Sequence, residues 1–200
     1  MKHFLFATLL ALATCSCTKD SEKNDPVFQL PPETQIGANT FGVTIRGKVY
    51  VPRDPKGVNY GGAQAKGVKI LGGGISPNEY SELVVVDGAS AVGFKIVLHI
   101  QNLNSVQSYI LKQSNFQDQA DSILENHAFF KIWDSQISNY AYYGSVANEG
   151  VVNVTRLSNG ILSGKFSGKF VRYDNPGDFI QIIDGRFDIN SFTVQSAPFP

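Results

Sequence analysis

Leu162-Ser163-Gly164-Lys165-Phe166-Ser167-Gly168-Lys169-Phe170 alternates without a break. In an extended chain, Leu162, Gly164, Phe166, Gly168 and Phe170 fall on one side, and Ser163, Lys165, Ser167 and Lys169 on the other. Successive side chains of a strand point to opposite faces, so this stretch predicts a β-strand with one face in a core. Helical spacing would scatter the same apolar residues around the cylinder. Three further stretches share the pattern: Phe94–Ile100, Ile180–Ile182 and Phe187–Asn190. In Phe94–Ile100 the polar side carries Lys95 and His99 with Val97 between them, and His99 reads as a surface histidine. Leu83–Val86, Ser108–Leu111 and Phe129–Trp133 are shorter, mostly apolar runs of strand length, and His127 just before the last also reads as a surface residue.

Turn chemistry separates these runs. Ser158-Asn159-Gly160 joins Val151–Leu157 to Ile161–Val171, and Arg46-Gly47 joins Phe41–Ile45 to Lys48–Val51. Asp184-Gly185 reads as a tight hairpin between Phe179–Ile183 and Arg186–Ile189. Asp174–Asp178 reads as a plain turn, since it lacks the spacing of a calcium loop. Gly72-Gly73-Gly74 reads as a loop, because no phosphate-cradling motif or helix start follows it. Gln117–Asn126 has weak helical spacing and reads as a loop or irregular strand. The expected fold is all-β and mainly antiparallel: a single β-sandwich or open β-barrel of about ten short strands.

Composition agrees with that reading. The chain has 200 residues with 19 glycines and 12% aromatics, which favours strands and tight turns. Lys and Arg total 17 and so do Asp and Glu, so no charge excess points to nucleic acid. Beyond Cys17 there is no cysteine, which excludes disulfides, a thiol nucleophile and cysteine-ligated metal from the folded part.

The N-terminus carries an address. Met1-Lys2-His3 is followed by the apolar run Phe4–Ala13 and by Thr14-Cys15-Ser16-Cys17. A charged start, a short apolar run and small residues at a cut site form a secretory signal; the run is too short for a mature span, which needs about 20 residues. A cysteine at the cut site points to lipidation, at Cys17 with Cys15 as the alternative. Palmitate-type chains would hold the product on a membrane at about 0.8 kcal/mol per buried CH₂. The division is then 1–17 signal and lipidation site, 18–38 a polar tether with Pro26, Pro31 and Pro32, 39–195 the β-rich domain, and 196–200 a frayed end.

The polar segment Thr18–Asp25 resembles the sorting signal that places lipoproteins on the outer face of the outer membrane. Leu30–Gln35, Asn39–Gly42 with Arg46–Val49, Ile161–Phe166 and Asp184–Ile189 resemble a family of uncharacterised Bacteroidota lipoproteins, a domain of unknown function. The resemblance implies a surface lipoprotein with a β-rich domain, and it implies no catalytic residue or ligand.

No catalytic or metal motif stands out, so neither cofactor nor metal is expected and the chain reads as non-enzymatic. Tyr140 and Tyr142 share one face of a candidate strand, with Tyr143 on the other. A tyrosine offers a large apolar ring with a polar tip, which suits sugar and protein surfaces alike. These two are the candidate ligand-facing aromatics. The structural alternative places Trp133 and Tyr143 in the core and Tyr140 and Tyr142 at the sheet edge. The expected function is a surface binding or accessory module for a glycan, small ligand or protein. A structural envelope component comes second, and an enzyme with dispersed catalytic residues third.

Overall fold

A computed structural model describes residues 27–57, 66–74, 79–117 and 125–200. Among them lie ten strands: β1 (Thr40–Ile45), β2 (Lys48–Tyr50), β3 (Val68–Gly73), β4 (Tyr80–Val86), β5 (Lys95–Gln101), β6 (Ser108–Ile110), β7 (His127–Asp134), β8 (Asn139–Ser158), β9 (Ile161–Arg172) and β10 (Phe179–Asn190). They form one antiparallel sheet in the order β2-β1-β10-β9-β8-β7-β5-β4-β3, with β6 on β8. The sheet curls into an open half-barrel, so the all-β expectation holds. Residues 118–124, the heart of the weak helical stretch, lie outside the described residues, as do residues 1–26 with Cys15 and Cys17.

The alternation in β9 decides the inner face. Leu162, Phe166 and Phe170 point into the core beside Phe130, Phe187 and Ile189. The glycines of the pattern permit the curl. Gly168 has a φ of 149°, and a Cβ there would lie 2.5 Å from the Cα of its partner Gly150. The β8–β9 register shifts between Ser145 and Gly150, so a bulge bends the long β8 at that point.

Two turns are as expected. Asn159 and Gly160 have φ of 52° and 73°, and Arg46 and Gly47 have 51° and 78°; both central residues in the left-handed region match the twist of the hairpin. The third is not a turn. Asp184 and Gly185 lie within β10, which runs unbroken along β9 with a register shift between Ile182 and Gly185. A Cβ at Gly185 would lie 2.4 Å from the Phe166 ring, so the glycine admits the ring and the strand bulges instead of reversing. Gly72 and Gly73 likewise continue β3 as paired residues.

Both expected domain boundaries move outward. Residues 27–38, read as tether, are tied to the domain: buried Asp188 accepts hydrogen bonds from Thr34 Oγ1 (2.6 Å) and the amides of Ile36 (3.0 Å), Gly37 (2.9 Å) and Ala38 (3.1 Å). The polar composition of this strap hid the fact that its own donors have a buried acceptor. The end read as frayed is also packed. Phe199 joins the core with Ala197 packed against it, the Phe199 amide donates to Asp54 Oδ2 (3.2 Å) and Lys66 Nζ donates to Ala197 O (3.3 Å). Asp54 follows β2 and Lys66 precedes β3; Asp54 accepts from Lys66 Nζ (3.3 Å) and from the Gly67 amide (2.8 Å), so the C-terminal tail packs where these two segments meet.

Candidate binding face

The curl leaves a second, outer face, and most of the side-chain chemistry lies there. Along β7 the outer positions are His127, Phe129, Lys131 and Trp133; along β8 they are Tyr140 and Tyr142. Register places Trp133 opposite Tyr140 and Lys131 opposite Tyr142. The rings of Trp133 and Tyr140 meet edge to face at 5.3 Å, and Tyr142 stacks over Phe129 at 6.1 Å. Lys131 Nζ sits 4.3 Å from the centre of the Tyr140 ring. Tyr142 is 39% exposed, while Trp133, Lys131 and Tyr140 are partly buried.

The two candidate tyrosines therefore do share one face, and their roles differ. Tyr142 presents its ring to solvent, whereas Tyr140 holds an ammonium group over its ring. Tyr143 points inward and is buried, as the structural alternative had it. Trp133 does not follow it: the residue before it, Ile132, takes the core position, and alternation turns the indole outward.

Trp133 also reaches the rim of the half-barrel. There it lines a cleft of about 150 Å³ with Phe28, Tyr50, Arg53, Asp87 and Phe94, and an adjoining depression of about 220 Å³. Each is below the roughly 300 Å³ at which small-ligand pockets usually begin, so the open aromatic face is the better platform. The polar groups at the rim are occupied with one another. Arg53 Nε donates to Asp87 Oδ1 (2.7 Å), Arg172 pairs with Asp134, Asp174 and Asp178, and Arg46 pairs with Asp178. Tyr143 donates its hydroxyl proton to Asp178 Oδ2 (3.2 Å). Burial raises the Tyr143 pKa, against the lowering field of Arg46.

Both histidines, expected at the surface, are buried. His99 Nδ1 lies 2.8 Å from Glu82 Oε1, and its ring stacks between Tyr80 (5.1 Å) and His127 (4.8 Å). His127 Nδ1 donates to the carbonyl of Glu125 (2.9 Å). Burial lowers the His127 pKa, and the neighbouring His99 adds to this against the Glu125 hydrogen bond, so the ring folds neutral. The signal was present in Val97, an apolar residue on the supposedly polar side of β5. Val84, Val97 and Phe129 form a small second core on this outer face, and His99 and His127 extend it. A Glu–His pair is the arrangement a general base would use, but with His99 fully buried its ring meets no solvent. Its role as observed is to satisfy a buried polar group. Among the described residues no group of three or more His, Cys, Asp or Glu is arranged to hold a metal.

The segments Leu30–Gln35, Asn39–Gly42, Ile161–Phe166 and Asp184–Ile189 meet elsewhere, at the strap, while Arg46–Val49 lies at the rim. Besides the four donors above, Asp188 accepts from Ser163 Oγ (2.6 Å), Arg186 donates to Pro31 O (3.2 Å) and Lys165 pairs with Glu33 (3.2 Å). β1 supplies Gly42, where a Cβ would lie 2.3 Å from Pro31. Burial alone would raise the Asp188 pKa, but hydrogen bonds from Ser163, Thr34, Ala38 and Gly37 outweigh it and hold the carboxyl at about 2. This cluster is a fastening, with every oxygen already engaged. No family model, curated protein or solved structure matches the chain.

Proposed function

We propose that the protein is an outer-membrane lipoprotein, acylated at Cys17 or at Cys15, whose β domain is a non-catalytic module that binds a glycan at the cell surface. The address rests on the charged start, the short apolar run and the two cysteines at its end. The binding role rests on one observation: Trp133, Tyr140 and Tyr142 share an outer face of the sheet, with Tyr142 open to solvent. Folding gains nothing from the part of a ring left in water, and aromatic side chains gathered on one partly open face suit an interaction site. The flat face of a sugar ring, lined by C–H groups, stacks on such rings while its hydroxyls stay hydrated. A glycan-array screen of the full chain in detergent tests this. Binding to a sugar class that Tyr142→Ala abolishes is the expected result; the same binding with Tyr142 removed would refute the site.

A second reading, a component of an envelope assembly, is favoured by β3. This six-residue strand ends the sheet order, and its Leu71 is 43% exposed. An edge of this kind accepts a further strand. Sedimentation of the chain as a monomer at high concentration would count against self-assembly through it.

A further inference from the structure

The strap fixes where the N-terminal segment leaves the domain. Traced back from β1, it starts beside the end of β10, where Gly37 and Ala38 donate to Asp188 and Asn39 Oδ1 accepts from the Asn190 amide (2.9 Å). It then runs along the outer face with Pro31 against Gly42, and the Phe28 ring ends 5.6 Å from the Arg53 guanidinium. Phe28 lines the rim cleft together with Val92 and Trp133, so Val27 leaves the domain at that rim. The turns at 46–47, 87–94, 135–138 and 173–178 share the same end of the half-barrel: Arg46 pairs with Asp178, and Arg172 with Asp134. Val92, Ile137 and Tyr173 in these turns are exposed, as is Val27. The turn at Asn159-Gly160 marks the opposite end.

Resting on the lipid anchor proposed above, we infer that the fastened strap holds this rim against the lipid surface, with Val27, Val92, Ile137 and Tyr173 as its points of contact. Reach selects the end. From Cys17 to Val27 is ten residues, which span at most about 35 Å, or about 42 Å from Cys15. β9 alone, at 12 residues, is about 40 Å long. A short leash attached at the rim brings the rim to the leaflet directly. Bringing the Gly160 end there instead requires the leash to lie straight along the whole barrel. Were residues 27–38 a free tether, the leash would be about twice as long and would favour neither end; the hydrogen bonds to Asp188 remove that slack. Val106 and Phe192 are exposed at the far end too, so the exit of the strap, and not the apolar tips, makes the choice. The rim also suits an anionic leaflet, because its carboxylates are held by cations: Asp87 by Arg53, Asp54 by Lys66, and Asp134, Asp174 and Asp178 by Arg172. Tyr173 is of the residue type that settles at a lipid–water boundary.

The test places the acylated chain in vesicles of phosphatidylethanolamine and phosphatidylglycerol that carry a dansyl-labelled headgroup. Trp133 is the only tryptophan of the chain, so energy transfer from it to dansyl reports how near the rim stands to the lipid. The double variant Trp133→Phe, Ser158→Trp moves the probe to the far end. Transfer from Trp133 is expected to exceed transfer from the moved probe. A Gly/Ser insertion of about twenty residues between Asp25 and Pro26 leaves the domain intact, lengthens the leash and should lower transfer from Trp133. Equal transfer from the two positions, greater transfer from position 158, or transfer from Trp133 indifferent to the insertion overturns the proposal. Mass spectrometry of the same sample separates the two readings. Any of those results from an acylated chain overturns the orientation and leaves the anchor standing, whereas a chain without acyl groups overturns both.

Discussion

The outer face of the sheet is treated in two opposite ways. Over β1, β10 and β9 it is roofed by the strap, and the residues beneath are small or fully hydrogen-bonded: Gly42, Ser163 and Asp188. Over β7 and β8 it carries Trp133, Tyr140 and Tyr142, with Tyr142 open to solvent. If burial were the sole demand, the large rings would lie under the roof and the small polar residues outside. The inversion separates a face shaped for packing from a face shaped for contact. Where the chain covers itself, close approach selects for absence of side chain: a Cβ on Gly42 would lie 2.3 Å from Pro31.

Removing the knot under the roof should have the largest effect. Asp188→Ala leaves three strap amides and two hydroxyls without their buried acceptor. A loss of about 3 kcal/mol in urea unfolding is expected, with faster amide exchange at 36–38. An unchanged stability would mean that the strap is not fastened there.

Acid should undo the same knot more gradually. The folded Asp188 carboxyl titrates at about 2, below its value in the unfolded chain, so the unfolded state takes up protons first as pH falls. The stabilisation is complete above the unfolded carboxylate value near 4, fades as pH falls towards 2, and amounts to about 2 kcal/mol. Denaturant midpoints measured across pH 5 to 2 should show this slope, and Asp188→Asn should flatten it.

Gly42→Val lifts the strap from the other side. Its side chain would meet Pro31 and Leu30 without entering the core, and a cost of about 1–2 kcal/mol is expected by thermal unfolding. A gain in stability would place Pro31 farther from β1 than described. Tyr142→Ala, on the bare face, should cost least, within about 0.5 kcal/mol, because a ring 39% exposed leaves no closed cavity. A large loss there would turn the contact face into a packing face and dissolve the contrast.

Part of this division was legible beforehand. Tyr140 and Tyr142 were placed on one face by their spacing alone, and the inner face of β9 by the alternation of Leu162, Phe166 and Phe170. Trp133 was not, because a single indole after an apolar run fits either face until the register of β7 is known. His99 and His127 were misassigned for a related reason. Alternation identifies two sides of a strand, and it does not say that both sides are covered. Val97 was the available sign that they are.

The chain alone determined most of the strand positions, the two-residue turns at Arg46-Gly47 and Asn159-Gly160, and the all-β class. All are set by side-chain period and by backbone freedom within a few residues of one another. It did not determine that Asp188 fastens a strap some 150 positions away, that Val194 and Phe199 enter the core, or that Asp184-Gly185 bulges where a turn was expected. Those outcomes depend on which distant groups the curl of the sheet brings within hydrogen-bonding or van der Waals reach. A carboxylate is a surface charge or a buried anchor according to what is folded over it, and only the tertiary structure supplies the cover.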